Sequence, residues 1–253
     1  MDVEELKSRI AESKLVVGFT GAGISTESGI PDYRGYGGIW TQYRVVTIQE
    51  FLASDEGRRE YWKRKEALWD DAHDAEPNEG HRTFGRLHER GSLFGLITQN
   101  IDGLHQKAGV PDSRIVELHG TGLRCTCLDC GYPSPTEATM AVWKESGEPP
   151  ECPECGGWMK PATVSFGQNL NEADLQRAAD LCGKAEVFIA VGSSLTVQPA
   201  ASFPLLAKRN GALLAIVNRN EALGMAACVL VIAVPLARSS TPQVPCMCAI
   251  GYG

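Results

Sequence analysis

The sequence predicts an α/β fold, a parallel sheet with helices on both faces, joined to a small zinc-binding and helical unit. Three observations predict it. Apolar runs of strand length recur without polar alternation, as strands buried on both faces require. The first run leads straight into a glycine-rich turn, the strand–turn–helix opening of a doubly wound sheet. Two Cys-x-x-Cys pairs in mid-chain carry metal-ligand spacing.

Taken in order, Asp2 and Glu5 form a capping box ahead of Val3, Leu6 and Ile10 at helical spacing. Residues 15–20 read as a buried strand, and Gly21-Ala22-Gly23-Ile24-Ser25 as the turn and helix start of a Rossmann-like unit. Residues 36–77 are charged and aromatic, with Trp40, Tyr43, Tyr61, Trp62 and Trp69, and predict a helical insert. Further strands are expected at 94–98, 187–191 and 213–217. Residues 171–184 predict a helix capped by Asn171, with Leu175, Ala178, Leu181 and Cys182 along one side. Gly211 stops the helix before the 213 strand. A last strand is expected within 228–234. Beyond Pro235 only Arg238 is charged, and Pro242 and Pro245 argue against a helix. The expected division is a Rossmann-like domain of residues 1–35, 78–119 and 163–234, a small domain from 36–77 and 120–162, and an atypical tail at 235–253.

The metal reading rests on Cys127, Cys130, Cys152 and Cys155, with 21 residues (131–151) between the pairs. Four thiolates from two tight turns close a tetrahedron around Zn²⁺. Gly131 and Gly156 follow each pair, where a knuckle needs a residue free of Cβ strain. A closed four-sulfur site has no open coordination position, so it is structural and the chemistry lies elsewhere.

Composition bounds the rest. A net charge of −7, from 24 basic and 31 acidic residues, argues against direct nucleic-acid binding. Of the 9 cysteines, five fall outside the metal motif at irregular spacing, which points to a reducing compartment and the cytoplasm. The acidic N-terminus lacks the basic and apolar regions of a signal peptide. The longest apolar stretch, residues 222–237, contains Gly224 and Pro235 and is short of a bilayer span, so no membrane partner is expected.

The candidate chemistry sits at strand ends. Gly21, Ala22 and Gly23 let a backbone approach a phosphate, although a plain tight turn needs glycines too. The polar loop from Ser25 to Arg34, ending in Asp32-Tyr33-Arg34, is long enough to fold over a ligand. Gln99, Asn100, Ile101 and Asp102 follow the second strand, where amides and a carboxylate meet sugar hydroxyls or satisfy their own turn. His119, before Gly120, has the pKa range of a general base at neutral pH. Gly192, Ser193 and Ser194 close one strand, and Asn218, Arg219 and Asn220 another.

Together these pieces resemble the sirtuins, the NAD-dependent protein lysine deacylases. The resemblance runs from residue 14 to about 220, through Gly21–Ser25, Ser28–Gly35, Gln99–Asp102, His119-Gly120, the zinc cysteines, Phe166-Gly167 and Gly192–Ser194. It implies NAD as co-substrate, structural Zn²⁺ and acyl-lysine proteins as partners. The pyrophosphate would lie on Gly21, Ala22 and Gly23 under the Asp32–Arg34 loop. Gly192 and Ser193 would stand near the phosphates, and Asn218 would hold the adenosine ribose. Gln99, Asn100 and Asp102 would bind the nicotinamide end, and His119 would act as base on a ribose hydroxyl. Val164, Ser165, Phe166 and Gly167 would pair with the substrate backbone. Products would be free lysine, nicotinamide and O-acyl-ADP-ribose. Tyr61 and Arg64 match a Tyr-x-x-Arg pair that binds acidic acyl groups in some sirtuins; a solvated arginine beside a core tyrosine is the plainer reading. Mono-ADP-ribosyl transfer and a non-catalytic zinc-ribbon binding module are the alternatives. The chain departs from the family's pattern at Tyr33, Ala162 and Gln168, and most strongly in its tail.

Overall fold

The computed structural model describes residues 3–32, 44–218 and 230–233. Six parallel strands build the main sheet: β1 (Val16–Thr20), β2 (Leu93–Thr98), β3 (Ile115–Glu117), then β7 (Val187–Val191), β8 (Leu213–Asn218) and β9 (Leu230–Ala233). Their order is β3-β2-β1-β7-β8-β9, with every pairing parallel. From β1 the chain builds outward on one side, then crosses back to start the other side at β7. The carboxyl ends of β1 and β7 therefore flank a topological switch point, where such sheets bind ligands.

The unbroken apolar runs have the reason expected of them: both faces are covered. On one face Val17, Phe19, Ile97, Phe188 and Leu214 pack with Ala178 and Cys182 of α7 (Glu172–Lys184) and with Phe203 and Ala207 of α8 (Phe203–Arg209). On the other, Val16, Leu96, Ile189 and Ala215 pack with Leu6 of α1 (Val3–Glu12) and with Phe84 and Leu87 of α4 (Glu79–Glu89). Asn171 caps α7, its Oδ1 accepting from the amides of Ala173 at 2.9 Å and Asp174 at 3.2 Å. One expectation fails locally. After Gly21 the chain makes a 3-10 stretch, Ala22–Ser28, instead of starting an α-helix. It ends at Gly29 in the left-handed region, φ 88°, before a full α-helical turn is laid down.

A second core lies beside the sheet. It combines α2 (Ile48–Ala53), α3 (Asp55–Ala72) and α6 (Thr136–Ser146) with an antiparallel sheet of β4 (Gly120–Cys127), β5 (Pro133–Pro135) and β6 (Met159–Thr163), ordered β5-β4-β6. Thr47 and Glu50 form the capping box of α2, and Ser54 caps α3 through the Gly57 amide at 3.0 Å. Phe51, Tyr61, Trp62, Met140, Trp143 and Met159 fill this core, with Trp62 stacked on Trp143 at 6.4 Å. The final strand β9 falls inside the stretch expected for it; the 235–253 tail and Asp2 lie outside the described residues. Among the described residues no helix is long and apolar enough to cross a membrane.

Candidate active site

The switch point brings three strand ends together. After β1, the Gly21 amide donates to the Val191 carbonyl at 3.1 Å, and the Gly23 amide to the Gly192 carbonyl at 2.8 Å. Gly192 has φ +64°, and a Cβ there would sit 2.2 Å from the Ile24 nitrogen. Only glycine permits both the backbone angle and this approach. The pairing leaves the 21–25 backbone pressed against the end of β7. Gln99 spans the crevice from β2, its Nε2 donating to Ser193 Oγ at 2.9 Å, and Asn218 Nδ2 donates to the Ser193 carbonyl at 3.2 Å.

Beneath this rim lies a directed polar network. Asn100 Nδ2 donates to Ser25 Oγ at 3.0 Å and to the Gly21 carbonyl at 3.2 Å. Ser25 Oγ in turn donates to Asp102 Oδ2 at 2.7 Å, and Asp102 Oδ1 accepts the amide of Leu104, the first residue of the short helix α5 (Leu104–Lys107), at 3.0 Å. His81, fully buried, closes the network. Its Nδ1 accepts the Asn78 amide at 3.3 Å, so its Nε2–H is the proton directed at Ser25 Oγ, 3.4 Å away. Burial lowers the His81 pKa, the Asp102 charge opposing and Arg82 reinforcing. His105 sits against it, ring centroids 4.9 Å apart. Thr20 Oγ1 donates to Thr98 Oγ1 at 2.8 Å, so it accepts from His105 Nε2 at 2.9 Å. That leaves His105 Nδ1 buried with no hydrogen-bond partner. Burial, and then His81, push the His105 pKa down to about 3. His81 and His105 were not among the sequence's site candidates; the Asn78-x-x-His81 capping box was the available signal for the first.

His119 stands half-buried where β3 gives way to β4. Its Nδ1 lies 3.0 Å from the Gln99 carbonyl oxygen. A carbonyl only accepts, so Nδ1 carries the proton and Nε2 keeps its lone pair. Burial lowers the His119 pKa, against the Gln99 carbonyl, which raises it. A neutral imidazole with an unprotonated Nε2 is a ready proton acceptor at neutral pH. The His119 carbonyl accepts the Val164 amide at 2.9 Å. The following segment, Val164 to Gly167, is tied to α2 by the Ile48 amide, which donates to the Phe166 carbonyl at 3.0 Å, and Phe166 is 46% exposed.

Tyr61 and Arg64 are not brought to that polar network. Tyr61 is buried among Phe51 and Trp62 with its hydroxyl lacking a hydrogen bond, although Thr163 and Ser165 are its polar neighbours. Burial pushes its pKa up to about 12. Arg64 donates to the Arg44 carbonyl at 3.2 Å. Asp32 closes the described part of its loop; Tyr33, Arg34, Arg219 and Asn220 lie outside the described residues.

The four motif cysteines converge away from the crevice. Their Sγ atoms all lie within 4.8 Å of one another, with Cys127–Cys155 at 3.5 Å and Cys130–Cys152 at 3.6 Å. A Zn²⁺ with sulfur at about 2.3 Å needs tetrahedral sulfur spacings of roughly 3.8 Å, so the cluster fits the ion. Gly131 and Gly156 take positive φ, +77° and +73°, and return their amides to the Cys127 and Cys152 carbonyls at 3.1 and 2.9 Å. The Asp129 and Gly157 amides point at Cys127 and Cys155 sulfurs at 3.4 Å, which favours thiolates.

Residues 21–199, which contain the glycine turn, the Gln99–Asp102 loop, His119 and all four cysteines, match the model of the Sir2 family. The chain belongs to the Sir2 family. It is 46% identical over 217 residues to NAD-dependent protein deacetylase 1 of Bradyrhizobium diazoefficiens, covering 86% of this chain and 85% of that protein. To NAD-dependent protein deacetylase of Rhodopseudomonas palustris it is 43% identical, covering 86% of each. Among solved structures, a Sir2 variant with a deacetylated p53 peptide and 3′-O-acetyl ADP ribose superposes with a TM-score of 0.85 at 36% identity, covering 92% of this chain and 94% of that one. Sir2 with a p53 peptide and NAD⁺ gives 0.82 at 36% identity, covering 92% and 93%. The sirtuin resemblance of the sequence is thus a family membership.

Proposed function

We infer that this Sir2-family chain is an NAD-dependent protein lysine deacylase that moves the acyl group of an acyl-lysine to ADP-ribose and releases nicotinamide. The observation that carries the reading is the His119–Gln99 hydrogen bond, which leaves an imidazole lone pair at the crevice beside the Asn100–Ser25–Asp102 network.

NAD supplies the electrophilic ribose carbon and the acyl-accepting hydroxyl. The chain's part is to bind, orient and move protons. Gly21, Ala22 and Gly23 hold the pyrophosphate, with Gly192, Ser193 and Ser194 facing it. Asn218, with Arg219 and Asn220, serves the adenosine ribose. Asp32, Tyr33 and Arg34 cover the nucleotide. Gln99, Asn100, Ile101 and Asp102 position the nicotinamide end, and Ser25 orients Asn100 and Asp102. His119 Nε2 accepts the ribose hydroxyl proton. Val164 to Gly167 take the substrate peptide as an added strand. Tyr61 and Arg64 would act on the far end of an acidic acyl group, but the burial of Tyr61 and the Arg64 bond to the Arg44 carbonyl support the plainer reading of an arginine beside a core tyrosine. The Cys127, Cys130, Cys152 and Cys155 site holds zinc structurally. The irregularly spaced cysteines outside the metal motif support a cytoplasmic enzyme, and the acidic net charge supports one without direct nucleic-acid binding.

The test is incubation with NAD and an acetyl-lysine peptide, followed by mass spectrometry. Stoichiometric free lysine, nicotinamide and O-acetyl-ADP-ribose are expected. ADP-ribose covalently attached to protein, with no lysine freed, would replace this reading by mono-ADP-ribosyl transfer.

A further inference from the structure

A cavity of about 340 Å³ extends from Ser25, Asn100 and Asp102 toward the small unit. One face of α3 walls it, with Lys65, Leu68, Trp69 and Ala72 at helical spacing, and Met140 faces them from α6. The hollow is mostly apolar; besides Ser25, Asn100 and Asp102 at the crevice and Lys65 on α3, its lining includes His73, Gln106 and Lys107, whose ammonium pairs with Glu76. At the crevice end Asp102 is occupied by Ser25 and the Leu104 amide.

At the other end the charges do not balance. Lys65 has no hydrogen-bond or ion-pair partner among the described residues; its ammonium lies 5.5 Å from the centre of the Tyr61 ring. The charges that act on it from neighbouring elements are Lys160, Arg64 and the Cys125 thiol. Lys160 donates to the Pro161 and Thr163 carbonyls, and Arg64 to the Arg44 carbonyl. Two acids that follow it on the same helix are engaged elsewhere: Glu66 accepts from Trp143 Nε1, and Asp70 pairs with Lys144. Lys160 and Arg64 therefore add positive charge close to Lys65, and burial pushes the Lys65 amine down to about 7, with Lys160 and Arg64 reinforcing. An apolar hollow ending in an unpartnered amine is complementary to a small amphipathic anion.

We propose that this cavity binds a free monocarboxylate with a medium-length apolar body, its carboxylate on Lys65 and its body along Leu68, Trp69 and Met140. Because the same cavity reaches Ser25 and Asn100, the bound acid opposes NAD. That second clause rests on the NAD reading above; the binding itself does not.

The experiment is calorimetric titration of the full zinc-loaded chain with octanoate in the absence of NAD. One-to-one binding is expected, at least tenfold weaker for 1-octanol and for the Lys65→Met variant, and restored by Lys65→Arg. Lys65→Met should keep its peptide deacylation rate within twofold, which shows that it is folded. Octanoate should raise the KM for NAD severalfold in the parent and not in Lys65→Met. Absence of octanoate binding, or equal affinity for octanoate and octanol, or for parent and Lys65→Met, overturns the anion site. Lys65-dependent binding with an unchanged NAD KM overturns the competition alone. A failure of deacylation in every variant, with octanoate binding intact, would count against the NAD reading and leave the acid site standing.

Discussion

Replacing Gly192 by alanine should break the nucleotide turn from the opposite side of the crevice. The backbone at Gly192 has φ +64°, and the added Cβ would meet the Ile24 nitrogen at 2.2 Å and the Gly23 carbonyl carbon at 2.5 Å. The left-handed conformation costs an L-residue about 1–2 kcal/mol. Forcing two backbones apart in a packed region adds about 1–3 kcal/mol. The sum, about 2–5 kcal/mol, is a large share of the roughly 5–15 kcal/mol that holds a typical protein folded. The shift also strains the Gly23 amide bond to the Gly192 carbonyl, 2.8 Å long, so NAD affinity should fall at least tenfold. Urea unfolding followed by circular dichroism gives the stability, and calorimetry the affinity. Gly183→Ala is the matched control. Gly183 lies in α7 with nothing within 4 Å of its added Cβ, so alanine there should stabilise by about 0.5–1 kcal/mol. A Gly192→Ala protein with the parent's urea midpoint and NAD affinity would refute the close-approach argument.

Further outcomes are expected. His119→Ala should lower kcat by about 10²–10⁴-fold while leaving the unfolding midpoint and zinc content unchanged. Since burial lowers the His119 pKa, the acid limb of the kcat/KM profile should fall below the ordinary histidine value of 6.5. His105, near 3 when folded and 6.5 when free, binds a proton more readily unfolded, so its stability is present above pH 6.5 and lost on acidification toward pH 3. By pH 5 the loss is about 2 kcal/mol, and urea titrations of His105→Gln should lack that component. Cys130→Ser should lose bound zinc, read by native mass spectrometry, and unfold the small unit at lower urea. If Arg64 acts on acyl groups, Arg64→Ala should lose succinyl-lysine activity selectively; equal loss on acetyl- and succinyl-lysine would remove it from the site.

Much of this architecture was legible because it is written locally. Strands covered on both faces must be apolar throughout, so residues 187–191 read the same in sequence and structure. The cysteine spacing encodes its own knuckles, and Gly131 and Gly156 have the positive φ that such turns demand. What stayed hidden depends on distant partners. The His81–Ser25–Asp102 relay joins residues far apart in the chain, and no spacing announces it. Lys65 looks like any helix lysine until α3 docks against α6, where Trp143 and Lys144 take up Glu66 and Asp70. The turn after Gly21 deceived in the other direction, since helix-compatible residues there make only a 3-10 stretch ahead of Gly29.

The metal-bearing ribbon has a mechanical reading. Its strand β4 begins one residue after His119, its strand β6 ends one residue before Val164, and Gly120 pairs with Thr163 across a register shift from the Cys125–Cys127 pairs. At the opposite end Cys127 pairs with Met159, inside the sulfur cluster. The ribbon is a pair of tongs, gripped at the handle by sulfur, whose tips hold His119 next to the 164–167 segment that is proposed to take the peptide. A displacement of about 1 Å at such a tip can cost on the order of a hundredfold in rate. An ion that never meets a reactant would then govern turnover through alignment, and stripping it would silence an enzyme that still has every reacting group in place.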